Sequence, residues 1–313
     1  MSKEEETKRF HRLAKNLRGP FNLPIDRKSE TMYFSMQTEF VHMGFNGRRT
    51  ETETYFLTLR CIPAASLGKK HDQYTCREFY LRLNSEDVVT IPALRLWEYE
   101  LDPMSGLDGK APVFGVPHNR FEGIIDSRGN KLSPDIRYAI YNNFIDFHAL
   151  NDALSRPLFG RGIEQLKTVG DRIVHPAAFT EAPVNLGSAV MPGSVYRNGE
   201  VTLELKGISV VDNTLCALIG YDSGESTLKM IMASPDGANV LTEGGSEYKG
   251  DIYIEFETGW VRKVTLDESI VTETEAANCD VKVKGYTVRH LLLRLISQEE
   301  YEKEPGIISR SLH

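Results

Sequence analysis

The chain is poor in cysteine and tryptophan, and it lacks any long hydrophobic run. It has 313 residues with only 4 Cys and 2 Trp. No stretch approaches the roughly 20 consecutive apolar residues that a transmembrane helix needs, so we expect no integral membrane segment. The first residues, Met1 to Glu6, lack the apolar core of a signal peptide. Two locations therefore stay open: cytoplasmic for the chain as written, or extracytoplasmic if a leader has been removed.

The sequence also lacks a basic excess. Its formal net charge is -7, from 37 Lys+Arg against 44 Asp+Glu. Proteins that bind nucleic acids or anionic membranes in a general way carry a basic surface, so we expect no nucleic-acid partner. The 25 Gly and 14 Pro are ordinary numbers and exclude collagen, low-complexity disorder and coiled coil. The composition is that of a globular protein with one large or two medium domains.

The common catalytic signatures are missing as well. The sequence has no Gly-x-Gly-x-x-Gly after a strand, no phosphate loop, no His-Glu-x-x-His and no Gly-x-Ser-x-Gly. In the segment Gly220 to Gly224 the serine stands one position late for a nucleophile elbow, and the Asp, Ser and Gly residues there predict a hairpin turn. We therefore expect no cofactor and no metal site.

Strand-like sequence occurs in two regions, residues 31–130 and 199–297. In the second region, Ile252, Ile254 and Phe256 alternate with polar residues ahead of a Thr-Gly turn, which predicts a half-buried hairpin. The first region is rich in aromatic, threonine and branched residues, which favour β-structure. Its clearest predicted strands are Met32 to Phe40, Thr52 to Cys61 and Tyr74 to Leu83.

Between these regions lies the strongest helix signal of the chain. Ser133 is a good N-cap, and Pro134 stands at the first helical position. Pro157 ends the pattern, and a shorter helix is predicted over Gly162 to Val169. Apolar residues recur at helical spacing and form one stripe that must pack on the rest of the protein. The stripe consists of Ile136, Ile140, Phe144, Phe147 and Leu154.

The order of strands, helices and strands predicts an α+β protein. We expect an extended antiparallel sheet or an unclosed β-barrel in two related halves, with the main helix and the shorter one packed on it. Residues 1–28 are predicted to form an N-terminal arm, and residues 29–297 a single domain with its helical section at 131–170. Residues 298–313 are charged and then lose periodicity, which predicts a mobile tail.

Several segments resemble a known group of proteins. They are Pro183 to Gly187, Leu205 to Ile208 and Gly250 to Arg262, together with the meander from Met32 to Leu83. Their order of strands and turns is similar to that of uncharacterised bacterial β-meander proteins related to the LolA-like lipoprotein carriers. The resemblance implies an unclosed β-barrel with helices across its mouth, which in the carriers holds acyl chains. It supplies no catalytic motif that could be transferred to this chain.

Three histidines, His118, His148 and His175, are candidates for chemistry. If they converged with Asp126 or Asp146 beneath the helices, acid-base or metal chemistry would follow, because imidazole titrates near neutral pH. The alternative interpretation is that they are surface histidines or hydrogen-bonded core histidines.

The cysteines Cys61 and Cys76 lie almost equally far from a turn near Leu67 to Lys70. A regular hairpin would place them opposite each other, within bridging distance. A disulfide there would indicate an oxidising compartment. The alternative is a pair of buried thiols.

Four aromatic residues, Trp97, Phe144, Phe147 and Trp260, are the expected walls of an apolar ligand site, since such sites are concave and rich in aromatic side chains. The alternative is that they form packed core. Acidic clusters at Glu98 to Asp102 and at Asp267-Glu268 offer paired carboxylates of the glycosidase kind, or they are solvated strand faces.

These features favour a noncatalytic binding protein. It would enclose an apolar small molecule or a lipid, or dock a protein partner of unknown kind on a curved antiparallel sheet. The first alternative is an enzyme with an acid-base or metal site near His118, His148 and His175. The second is a structural or interaction protein with a filled interior. An apolar cavity would favour binding, and convergent titratable groups would favour catalysis.

Overall fold

The structure is a computed structural model that describes most of the chain. The described residues are 20–24, 26–44, 46–84, 86–106, 112–155, 162–175, 180–181, 190–233, 239–276 and 282–303, together with positions 5 and 8.

Fourteen β-strands among the described residues form one sheet, and every pairing between them is antiparallel. This confirms the predicted extended antiparallel sheet. The strands are β1 (Met32–Met43), β2 (Arg49–Ile62), β3 (Gln73–Leu83), β4 (Val89–Thr90), β5 (Trp97–Glu100), β6 (Arg172–His175), β7 (Thr180–Glu181), β8 (Val195–Arg197), β9 (Val201–Val211), β10 (Thr214–Asp222), β11 (Ser226–Ala233), β12 (Asn239–Glu255), β13 (Val261–Ala276) and β14 (Lys282–Ile296).

Among the described residues, one helix is long and the other helical segments are short. They are α1 (Ala64–Leu67), α2 (Pro134–His148) and α3 (Gln298–Glu302), with a π-helical turn at Ala149–Ala153 that continues α2 and 3-10 turns at Pro92–Leu94, His118–Arg120 and Ile163–Gln165. Among the described residues, no helix has the length and hydrophobicity required for a transmembrane span.

The two halves of the chain share this one sheet. Its main order is β4-β3-β2-β1-β14-β13-β12-β10-β9-β6, so the pairing of β1 with β14 joins the N-terminal strands to the C-terminal ones. In that pairing the register runs from Tyr33 opposite Ile296 to Met43 opposite Tyr286. The sheet is not closed into a barrel, because its end strands β4 and β6 do not pair with each other.

Strand β12 divides the sheet into two branches. Its N-terminal part pairs with β11, from Asn239 to Ser246, and its C-terminal part pairs with β10, from Lys249 to Glu255. Strands β10 and β11 therefore follow each other along the same edge of β12. The segment Gly220 to Gly224, which the sequence predicts to be a hairpin turn, is instead the end of β10 together with the start of its link to β11.

Helix α2 begins where the sequence predicts. The Ser133 hydroxyl caps it by accepting a hydrogen bond of 3.3 Å from the Ile136 amide. Its apolar stripe faces the sheet: the ring of Phe147 lies 5.4 Å from that of Phe34, and the ring of Phe144 lies 5.9 Å from that of Phe79. The helix therefore covers the inner face of the sheet near β1 and β3.

The structure adds detail to three local predictions. The expected helix over residues 162–169 is only the 3-10 turn Ile163–Gln165. In the expected tail, α3 forms with a capping box at Ser297, and the ring of Tyr301 packs 4.8 Å from that of Tyr33. In the expected arm, Phe21 is buried and its amide donates a hydrogen bond of 2.7 Å to the Lys167 carbonyl. Residues 304–313 of the tail lie outside the described residues.

Candidate functional site

A cavity of about 270 Å³ lies between α2 with its π-helical turn and the inner face of the sheet at β11 to β14. It is next to the point where β12 divides, because Gly245, Ser246 and Tyr248 line it. Most of its wall is apolar. The apolar lining includes Phe114, Ile145, Leu150, Leu228, Met230 and Ile270.

A buried ion cluster forms the polar part of the wall. Nη1 of Arg289 lies 2.5 Å from Oδ2 of Asp146, and Nε of Arg289 lies 2.6 Å from Oε2 of Glu268. The side chain of Glu268 is only 5% exposed and that of Arg289 only 10%, whereas that of Asp146 is 21% exposed. Two carboxylates thus face the cavity beside one guanidinium.

Strand register explains why Glu268 and Arg289 point inward. They are directly opposite each other in the β13–β14 pair, and the next pair, Leu266 opposite Leu291, is two positions along and on the same face. Side chains two apart in a strand share a face, so both charged residues lie on the same face of the sheet as these buried leucines. On the outer face, Asp267 and His290 form the neighbouring pair, 2.6 Å apart and exposed.

Two tyrosines and their polar neighbours continue the wall. The hydroxyls of Tyr248 and Ser226 each donate a hydrogen bond of 3.2 Å to Oδ1 of Asn198. Tyr196 lines the same region. The Ser246 hydroxyl oxygen is buried in the wall and has no well-formed hydrogen bond among the described residues.

Burial sets the electrostatics of the cluster. It raises the pKa of Asp146, and Glu268 raises it further, while Arg289 acts in the opposite direction. Burial also opposes the charge of Arg289, but the two carboxylates outweigh it and raise the pKa of this guanidinium. Arg289 therefore stays charged, and burial makes Asp146 easier to protonate than an ordinary aspartate.

None of the four aromatic residues expected to form a ligand site lines this cavity. Trp97 is half-buried, and its ring lies 4.6 Å from that of Tyr99. Phe144, Phe147 and Trp260 are fully buried. Phe144, Phe147 and Trp260 thus pack in the core, and Trp97 packs against it.

The candidate histidines have separate partners. His148 is fully buried; its Nδ1 lies 2.9 Å from Oδ2 of Asp152, and its Nε2 lies 2.8 Å from the Tyr99 hydroxyl. His118 is half-buried and places Nε2 3.0 Å from the Tyr141 hydroxyl. The two rings thus share no hydrogen-bond partner in the contacts described.

The remaining parts of the predicted histidine site also lie apart. His175 is in β6 with its backbone opposite Val201, and its side chain lies outside the described residues. Asp126 accepts hydrogen bonds from the amides of Arg128 and Asn130, as a turn residue does. In the part of the chain that the structure describes, no group of three or more His, Cys, Asp or Glu side chains could hold a metal ion.

The predicted disulfide between Cys61 and Cys76 is not present, and both are buried thiols. The β2–β3 register places Cys61 opposite Tyr74 and Cys76 opposite Leu59, with a bulge after Thr58. The two cysteines are therefore diagonal neighbours, whose Cβ atoms are typically about 7 to 8 Å apart, beyond the reach of a bridge.

The residues of the two acidic clusters lie in different environments. Glu98 and Glu100 form exposed ion pairs with Arg60 and Lys69, as solvated strand faces do. Glu268, in contrast, is buried in the cavity wall. Alternation with the leucines of β13 and β14 was the signal in the sequence that could have identified Glu268 and Arg289.

Comparisons with known proteins do not assign the chain to a family. No family model and no curated protein matches it. Solved structures with some similarity include a DUF1329 family protein from Desulfovibrio piger, with 10% identity and a TM-score of 0.19 over 88% of this chain and 90% of that chain. Another is Pseudomonas putida OprB, with 5% identity and a TM-score of 0.21 over 85% of this chain and 94% of that one.

A third is the outer membrane channel DcaP of Acinetobacter baumannii, with 9% identity and a TM-score of 0.16 over 88% of this chain and 99% of that chain. TM-scores this low carry no argument about function. The expected relation to the LolA-like carriers is not shown by these comparisons.

Proposed function

We propose that the protein binds a small, mainly apolar molecule in the cavity between α2 and the inner face of the sheet. The observation that carries this proposal is the combination of an apolar wall with a few convergent polar groups, which is the usual make-up of a small-molecule site. A dry cavity of about 150 Å³ holds benzene. By that scale, the space of about 270 Å³ accommodates a molecule of about ten non-hydrogen atoms.

The state of the polar groups supports binding over catalysis. Asp146 and Glu268 both contact the guanidinium of Arg289, so both carboxylates are paired within the wall of the cavity. His148 and Asp152, which resemble an acid-base pair, are fully buried and bonded to other core groups. Docking of a protein partner on the sheet remains a prediction.

Binding is tested with a variant that fills the cavity. Ile270 lines it, whereas the next residue on β13, Val271, is 54% exposed on the other face of the strand. Ile270→Trp should remove saturable binding of the neutral fluorescent probe naphthalene, whose size matches the cavity, because the indole occupies the space. Val271→Trp is the matched control and should bind the probe like the unmodified protein.

Circular dichroism and thermal unfolding of both variants separate loss of the cavity from loss of the fold. If Ile270→Trp does not fold, Met230→Trp on β11 fills the same cavity from another wall. Equal binding by the folded filled variant and the control would contradict the proposal, as would the absence of saturable binding to the unmodified protein.

A further inference from the structure

The polar part of the cavity wall carries an excess of negative charge. Among the described residues that line the cavity, the groups charged near neutral pH are Asp146, Glu268 and Arg289. Two carboxylates against one guanidinium leave a net charge of one negative unit when all three are ionised. Because Glu268 and Arg289 are buried, solvent screens this excess weakly.

The same wall offers further groups suited to a cation. Ser246 presents a buried hydroxyl group next to the Tyr196 hydroxyl, and its oxygen can accept a hydrogen bond from an N–H group. Tyr196 and Tyr248 add aromatic rings to this part of the lining, and the face of such a ring attracts a cation. A hydroxyl acceptor, ring faces and excess carboxylate thus lie around one end of the cavity.

An anionic group is disfavoured at this end. Arg289 is the positive charge of the cluster, and it is already engaged by Asp146 through Nη1 and by Glu268 through Nε. A carboxylate or phosphate would approach two like charges in a weakly screened space.

We propose that the ligand is an amine, with a protonated nitrogen placed at the Asp146–Glu268 end and an apolar body of about ten non-hydrogen atoms along the rest of the cavity. This inference rests on the proposed function and specifies its ligand class. The ammonium group donates to the free lone pairs of the carboxylates and to Ser246, and it neutralises the excess charge of the cluster.

The test compares three probes of nearly equal size by isothermal titration calorimetry at neutral pH. They are phenylbutylamine, phenylbutanol and phenylbutyrate, which carry a cation, a neutral hydroxyl and an anion on the same apolar body. We expect the amine to bind about tenfold more tightly than the alcohol and the acid to bind most weakly. Equal affinities, or tightest binding of the acid, would overturn the amine assignment while leaving binding intact.

The result also separates this inference from the proposed function. If naphthalene binds and the amine does not, the cavity binds apolar molecules without selecting an ammonium, and the inference is wrong. If neither that probe nor any of the three phenylbutyl compounds binds, the proposed function itself fails.

Two variants that each remove one negative charge test whether the cavity wall causes the preference for the amine. Glu268→Gln removes the excess charge inside the cavity, and Asp267→Asn removes one charge from the outer face of the same strand, where Asp267 contacts His290. Preference for the amine over the alcohol should fall to about twofold or less in Glu268→Gln and persist in Asp267→Asn. If Glu268→Gln does not fold, Asp146→Asn tests the same point from α2. Persistent preference in the folded interior variant would contradict the inference.

Discussion

Arg27 places Nη1 2.8 Å from Oδ1 of Asp152, although the two residues are 125 positions apart in the sequence. The Asp152 carboxylate lies in the π-helical turn that follows α2, and it also accepts from the Tyr74 hydroxyl at 3.1 Å and pairs with His148. The guanidinium carbon of Arg27 lies 4.6 Å from the centre of the Trp260 ring. One carboxylate therefore joins the N-terminal segment, the end of the main helix and strand β3.

Loss of the Asp152 carboxylate should strongly destabilise the fold. Asp152→Ala leaves the buried cation of Arg27 and the ring of His148 without their shared acceptor, so we expect a loss of about 3 to 5 kcal/mol in the free energy of unfolding. Urea denaturation measures it. Asp87→Ala is the control, because Asp87 forms an exposed ion pair with Arg128 and should cost less than about 1 kcal/mol. Similar losses in the two variants would show that the buried pair does not stabilise the fold.

The apolar stripe of α2 predicts a second large effect. Phe144 is fully buried, and its ring lies 5.9 Å from that of Phe79 and 5.4 Å from that of Trp97. Phe144→Ala should destabilise the protein by about 3 to 5 kcal/mol, since it leaves a cavity that close-packed neighbours fill only in part. Val210→Ala, at a half-exposed position of β9, should change the unfolding free energy little. A change under about 1 kcal/mol for Phe144→Ala would mean that this face is not packed.

The buried thiols should be unreactive in the folded protein. Burial raises the pKa of Cys216 to about 12, and it raises the pKa values of Cys61 and Cys76 well above the ordinary range. Only the thiolate reacts with iodoacetamide. At mildly alkaline pH we therefore expect these three cysteines to be alkylated only after unfolding, as measured by peptide mass spectrometry. A peptide that joins Cys61 to Cys76 in unreduced digests, or rapid native alkylation of either, would contradict the register described here.

Two histidines should make the free energy of unfolding depend on pH. His118 should do so below pH 6.5, and His42 above it. Burial lowers the pKa of His118 below its ordinary value of 6.5. When the pH falls below 6.5, the unfolded chain takes up a proton that the folded protein resists, so stability decreases until the pH passes the folded pKa. His118→Gln should flatten this part of the stability curve, measured by urea unfolding across the pH range. An unchanged slope below pH 6.5 would exclude the effect.

His42 supplies the matched comparison for that experiment. The neighbouring Glu53 carboxylate, whose Oε1 lies 3.6 Å from Nε2 of His42, raises the pKa of His42 above the ordinary 6.5. The folded state therefore holds its proton more tightly, and stability decreases as the pH rises from 6.5 through the folded pKa. His42→Gln should flatten the curve of unfolding free energy against pH above pH 6.5. The pH dependence that His118 causes below pH 6.5 should remain.

Local signals in the sequence were sufficient for the main elements of the fold. Ser133 and Pro134 marked the start of α2 because a cap and a fixed φ angle act within one turn of helix. Alternation around Ile252 and Ile254, with Gly259 at a φ of 70°, marked the hairpin of β12 and β13. Each of these signals depends on residues a few positions apart.

Local signals were not sufficient for the site. The burial of Glu268 depends on its pairing with Arg289 and on the approach of Asp146 from α2, three segments far apart in the chain. The position of the cavity depends on the division of β12 between β10 and β11, which no single segment encodes.

Sequence alone thus determined the strand and helix periodicities, the main helix cap and the absence of common catalytic motifs. Tertiary structure decided the register that separates Cys61 from Cys76, the packing of Trp97 and Trp260 into the core, and the inward position of Glu268. The physical reason is that periodicity and capping are properties of neighbouring residues, whereas register and burial depend on which distant segments exclude water from a side chain.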